Sequence, residues 1–152
     1  MFWIIIAAFI IAVDQISKYI IVSNIQYGQM STVIESFFYI TYHINKGAAW
    51  GILQNGRIIF IVLTPIIAAF LIYYIFKSNN KLLKLSLTLI LGGAVGNLID
   101  RILAGGATDF LLFYIGSYPF PIFNVADISV VIGTIMLAIY LIFIYKEPEI
   151  KS

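Results

Sequence analysis

The chain has no cysteine and a single histidine, His43, in 152 residues. The first absence excludes disulfides, thiol nucleophiles and thiolate metal sites; the second excludes a multi-histidine metal centre. Charge is scarce too. Only 11% of residues are Asp, Glu, Lys or Arg, and their balance is +2. That is too little for a nucleic-acid binder, and no basic cluster marks one. The chain contains no HExxH pattern, no phosphate-binding glycine loop, no low-complexity tract and no soluble extra domain.

So few charges cannot make the polar shell of a soluble domain. What fills the chain instead is apolar: 62% of residues are hydrophobic and the mean hydropathy is +1.03. These residues gather in four blocks, Phe2 to Val13, Ile58 to Phe76, Leu85 to Ile99 and Ile128 to Tyr145. A helix crosses the hydrocarbon core in about 20 residues, so two blocks span outright and two do so once polar residues near their ends are included. The reading is an all-α membrane protein, one integral membrane domain over residues 1–152, with spans at about 2–22, 58–76, 85–104 and 124–145. No Lys or Arg precedes the first block and no small-x-small site follows it. The chain stays helix-compatible through Asp14 to Val22, so the block reads as a span and not as a cleaved leader.

Lys77, Lys81 and Lys84 crowd the link between the second and third blocks, and Lys146 and Lys151 follow the fourth. By the positive-inside rule these ends are cytoplasmic. Both termini then lie inside, with an outer segment at 23–57 and an outer loop at 105–122. Lys46 and Arg57 run against this orientation, but the compact lysine link outweighs them. Within the outer segment, Phe38 to Ile44 is aromatic and β-branched with rough alternation, a strand signal. Trp50, with Ile52 and Leu53, suits the membrane–water interface. A small extracytoplasmic β-sheet and a short interfacial helix are expected there, with His43 a partly exposed strand residue.

Asp14, Lys18, Asp100, Arg101, Asp109 and Asp127 all fall in or beside spans. A charge at mid-bilayer costs about 2.5 to 3.5 kcal/mol. Uncompensated, the six would cost roughly 15 to 20 kcal/mol, against a usual net stability of about 5 to 15. Pairing and interfacial depth must lower that cost. Asp14 and Lys18 are four apart and can pair on one helix face; an internal pair anchoring the first span fits them at least as well as direct chemistry. Gly93, Asn97 and Arg101 also repeat at four, placing a gap, an amide and a guanidinium on one face. Gly92 and Gly96 form a small-xxx-small pattern on a neighbouring face.

Asp109 follows the third span, and Asp127 opens the fourth with Asn124 three residues before it on the same face. If these spans are antiparallel neighbours, the two aspartates lie at one depth. Two carboxyls close together in a dry site share a proton, one serving as base and the other as acid. An N-terminal cap at Asp127 and a surface Asp109 account for the spacing equally well.

Taken together, five stretches resemble the bacterial lipoprotein signal peptidase family, signal peptidase II. They are Asp14-Gln15-x-Ser17-Lys18, Asn45-x-Gly47-Ala48-Ala49-Trp50, Gly92-Gly93-x-x-Gly96-Asn97-x-x-Asp100-Arg101, Asp109-Phe110 and Phe123-Asn124-x-Ala126-Asp127. Their order and intervals match, and they cover essentially the whole chain. The resemblance implies a four-span aspartic endopeptidase of the bacterial cytoplasmic membrane, its site toward the outer face. It would remove the signal peptide of prolipoproteins just before the diacylglyceryl cysteine. Asp109 and Asp127 would be catalytic. Asn45, Gly93, Asn97, Arg101, Asn124 and Ala126 would line or brace the site, with Asp14 and Lys18 in support. No metal or organic cofactor is implied, and no partner beyond the lipidated substrate and membrane lipid.

This chain departs from the family pattern at Ile44, often Arg there, and at Thr108, usually Val. The first puts in doubt any basic contact from that strand, and the second places a hydroxyl beside Asp109. The rival reading is a small proton-coupled carrier, since intramembrane carboxylates also mark ion pathways. Four spans without an internal repeat fit it poorly. A structural subunit would leave the Asn97–Arg101 and Asn124–Asp127 pairs unexplained.

Overall fold

The computed structural model describes residues 1–47 and 56–145, so the interfacial helix expected around Trp50 lies outside the described residues. Among the described residues, four helices are long and apolar enough to cross a membrane: α1 (Phe2–Asn24), α2 (Arg57–Lys77), α3 (Lys81–Leu103) and α4 (Val125–Ile139), the last continued by a π-helical segment, Tyr140–Ile144. The link from α2 to α3 is three residues long. Its Asn80 side chain accepts from the Leu83 N–H at 3.0 Å, a cap that lets α3 start at once.

Helix α3 is the hub. In its most apolar window 44% of residues are buried inside the protein, against 6% for α2 and 11% for α4, so α3 packs on all three other helices and those turn most of their surface to lipid. That is why Phe9, Ile16, Val62, Phe70 and Ile135 are exposed without penalty. Lipid tails are as apolar as leucine, so no hydrophobic force draws such helices together. Close packing and polar contacts must do so.

Glycines supply the close packing. Gly92 and Gly96 receive Ile10 and Asp14, one turn apart on α1: a Cβ on Gly92 would stand 2.9 Å from the Ile10 Cβ, and one on Gly96 would stand 2.6 Å from the Asp14 carboxylate. Gly93 faces α4, where a Cβ would collide with the Ala126 carbonyl oxygen. Next to these contacts, Ala7, Ile75, Leu87 and Leu91 form a small apolar core.

Outside the helices, four strands form one antiparallel sheet among the described residues, in the order β1 (Met30–Ile34), β2 (Phe38–Asn45), β3 (Ala107–Ile115) and β4 (Tyr118–Pro119). The first two strands come from the segment between α1 and α2, the other two from the link between α3 and α4. The expected strand at 38–44 is β2; strands β1, β3 and β4 were not anticipated. Pairing of β2 with β3 sets His43 opposite Asp109, Ile44 opposite Thr108 and Asn45 opposite Ala107. The two departures from the family pattern, Ile44 and Thr108, are therefore cross-strand partners. Gly105, with φ +84°, makes the turn from α3 into β3 that a side-chain-bearing residue would strain. The result is a four-helix membrane protein with a small sheet at one end of the bundle.

Candidate active site

Each aspartate of the expected pair is placed by a different local signal. Asp109 sits in β3, buried at 3% exposure, and Asp127 is the third residue of α4. Asn124 caps that helix: its Oδ1 accepts from the Asp127 N–H at 2.9 Å, while Asp127 Oδ2 accepts from the Asn124 N–H at 3.1 Å. This reciprocal capping box fixes the Asp127 rotamer. The capping role foreseen for Asp127 is thus present alongside its place in the cluster.

Asn124 also joins the two aspartates. Its Nδ2 donates to Asp109 Oδ1 at 2.7 Å, to Asn97 Oδ1 at 3.0 Å and to the Thr108 carbonyl at 3.2 Å. Asn45 Nδ2 donates to Asp109 Oδ2 at 3.0 Å, reaching diagonally across the β2–β3 pair. Asn97 Nδ2 donates to Asp127 Oδ1 at 2.8 Å. Both carboxyls therefore accept hydrogen bonds on both oxygens, and every side-chain donor is an asparagine amide. Amides orient carboxyls without supplying a counter-charge.

Burial pushes the Asp109 carboxyl up to about 7, with the neighbouring Asp127 charge adding to the rise; the amide bonds from Asn45 and Asn124 and the Lys18 charge oppose it. A carboxyl that binds its proton near neutrality can exchange it during a reaction.

The pair opens into a cavity of about 930 Å³ whose wall also includes His43, Asn97, Arg101 and Phe123. Arg101 does not bond to either aspartate. Its guanidinium donates to the Asn97 and Gly47 carbonyls, each at 3.1 Å, and lies 4.5 Å from the Phe60 ring centroid. Among the described residues its Nε is the one buried side-chain nitrogen or oxygen without a hydrogen-bond partner.

Asp14 and Lys18 lie behind this wall. Lys18 Nζ stands 2.8 Å from Asp14 Oδ2 and 2.8 Å from Asp100 Oδ2, and donates to Asn97 Oδ1 at 3.1 Å. Gly93 and Ala126 meet each other at the α3–α4 contact and do not line the cavity. Asp100 and Gln15 are parts of the cluster that were not singled out for a role. Asp100 was visible as a charge inside a span, yet spacing could not reveal its partner, which lies on another helix.

A family model described as signal peptidase (SPase) II matches residues 6–143. A lipoprotein signal peptidase of Bacillus pumilus is 46% identical over 151 residues, covering 98% of this chain and 97% of the relative. A bacterial membrane enzyme solved at 2.3 Å by the in meso method superposes with a TM-score of 0.86 and 42% identity, over 98% of this chain and 94% of its own. A second, at 1.9 Å, gives 0.83 and 41%, over 94% of each chain. Fold and likeness together define a membrane-embedded peptidase. Within that class, the chain belongs to the signal peptidase II family.

Proposed function

We propose that this peptidase removes the signal peptide of prolipoproteins, cutting just before the diacylglyceryl cysteine, with Asp109 and Asp127 sharing one proton as its catalytic pair. The observation that carries the reading is the bridge at Asn124, whose side-chain amide donates to the Asp109 carboxyl and whose backbone N–H donates to the Asp127 carboxyl, both on the wall of one cavity. The ionised member takes a proton from water as it attacks the scissile carbonyl. The protonated member donates to the carbonyl oxygen, giving a tetrahedral diol. Collapse breaks the C–N bond as a proton passes to the leaving nitrogen, and the pair ends with one proton again.

This substrate class is supported by the lipoprotein signal peptidase likeness and by the apolar lining of the cavity. Phe60, Phe120, Ile128 and Ile132 line it beside the carboxyls, a surface suited to acyl chains entering from the leaflet. In this reading the sheet end of the bundle faces outward in the cytoplasmic membrane of a bacterium, and the lysine-rich link and both termini face the cytoplasm.

Purified enzyme is incubated with a diacylglyceryl prolipoprotein and the products are weighed by mass spectrometry. Asp109→Asn and Asp127→Asn should each abolish turnover while still accumulating in the membrane. Asn is nearly isosteric but cannot pass the proton. The double variant should be hardly worse than either single one, because the pair acts as a unit. Unlipidated substrate should be cut poorly. Product from either Asn variant rejects the pair, and equal cleavage of both substrates rejects lipid recognition.

A further inference from the structure

Behind the cavity, Asp14, Lys18 and Asp100 form an ion cluster with exposures of 0%, 3% and 6%. The proposed hydrolysis makes no direct use of it. Each of its carboxylates also accepts a backbone N–H. Asp14 Oδ1 accepts from Ala126 at 2.9 Å, and Asp100 Oδ2 accepts from Thr108 at 2.8 Å. Ala126 immediately precedes Asp127, and Thr108 immediately precedes Asp109. The two cluster carboxylates thus grip the chain at the same offset from the two aspartates of the cavity.

Lys18 couples the two grips. An ammonium has three donors, and here they reach Asp14, Asp100 and Asn97, the last of which donates onward to Asp127. The Gln15 amide bridges the same two carboxylates, at 3.1 Å to Asp14 and 2.9 Å to Asp100. The Thr108–Asp109 peptide is held from a further direction, since the Thr108 carbonyl accepts from Asn124. We infer that Asp100 is a positioning residue which, coupled to Asp14 through Lys18 and Gln15, fixes the backbone directly before each catalytic aspartate and so sets their mutual approach.

This inference rests on the reading of Asp109 and Asp127 as the catalytic pair. Neither grip touches substrate; both act through the main chain. If Asp100 served only to neutralise Lys18, a carboxylate at any reach would suffice. If it positions Asp109, what counts is an acceptor oxygen at the Thr108 N–H.

Three variants of the full-length enzyme separate these roles. Asp100→Ala removes the acceptor, Asp100→Asn keeps an acceptor without charge, and Asp100→Glu keeps the charge but moves the carboxylate by one methylene. Kcat, KM and melting temperature are measured on each with a diacylglyceryl prolipoprotein substrate. Asp100→Ala should lower kcat by about 100-fold, the size of effect expected from misplacing a reacting group by about 1 Å, while KM changes by less than about twofold. Asp100→Asn should recover about tenfold of that loss, the worth of one restored hydrogen bond. Asp100→Glu should fall below Asp100→Asn, and this comparison stands even if the Ala variant does not accumulate. Asp14→Ala should mirror Asp100→Ala, and combining them should add little, because either displacement already spoils the approach. Wild-type kcat in Asp100→Glu, or equal kcat in the Ala and Asn variants, overturns the inference. Asp109→Asn runs in the same assay: if it turns over substrate, the pair itself is what fails.

Discussion

A carboxyl held by asparagine amides has no cation bonded to it, and at Asp109 the more distant Lys18 charge does not offset burial. With its proton retained to about 7 by burial and by the Asp127 charge, the one-proton pair that the proposed mechanism requires persists to near neutrality. It loses that proton as pH rises further. Turnover should therefore fall along a basic limb that begins near 7, with unit slope in log kcat against pH, and the limit belongs to the pair as a whole. A plateau extending to pH 9 would show that the proton is not needed. Arg101 tests a different property. It is buried enough to leave its Nε unpartnered, and it spans two carbonyls with its planar fork. Lysine keeps the charge but cannot span them. Losing one such charge-assisted bond, about 1.5 to 3 kcal/mol if it acts in the transition state, would slow Arg101→Lys by roughly 10- to 100-fold. An unimpaired lysine variant, measured at saturating substrate, would show that the fork is dispensable.

Among the elements, α3 depends most on what it lacks. Gly93 admits the Ala126 carbonyl, a main-chain atom that cannot swing aside, and Asp127 is the next residue. Gly93→Ala must push α4 outward. It should cost about 1 to 3 kcal/mol, as overpacking does, and lower turnover with it. Thermal unfolding in detergent and the cleavage assay check both, and unchanged activity would mean that α4 tolerates the shift. The spans and β2 were legible because a solvent boundary imposes a pattern: about twenty apolar residues for a span, alternation for β2. Asp109 was legible as a candidate because a carboxylate beside a span needs a reason. Strand β3 was not, since Phe110 to Ile115 is an apolar run that fits strand, loop or helix end alike until β2 is known to lie beside it. Nor was the Asp100–Thr108 grip, whose donor is a backbone N–H that has no identity in sequence.

For the whole molecule, the sheet gathers the C-terminal ends of α1 and α3 and the N-terminal ends of α2 and α4, leaving Lys77 and Lys81 at the far end. A cysteine placed at Asn79 should resist an impermeant thiol reagent in intact cells, and one at Gln26 should react. Labelling has no native background, because the chain has no cysteine. The opposite pattern would invert the orientation. The ion cluster is also assembled in a fixed order during synthesis. Lys18 enters the bilayer long before Asp100 exists, but Asp14 is already one helical turn away, so the first span carries its own neutralising partner from the outset. Asp100 joins two helices later, and Asp127 arrives last of all. On the proposed mechanism a chain still lacking its fourth helix holds Asp109 without its counterpart, so a newly made copy gains its activity only once the last span is in place.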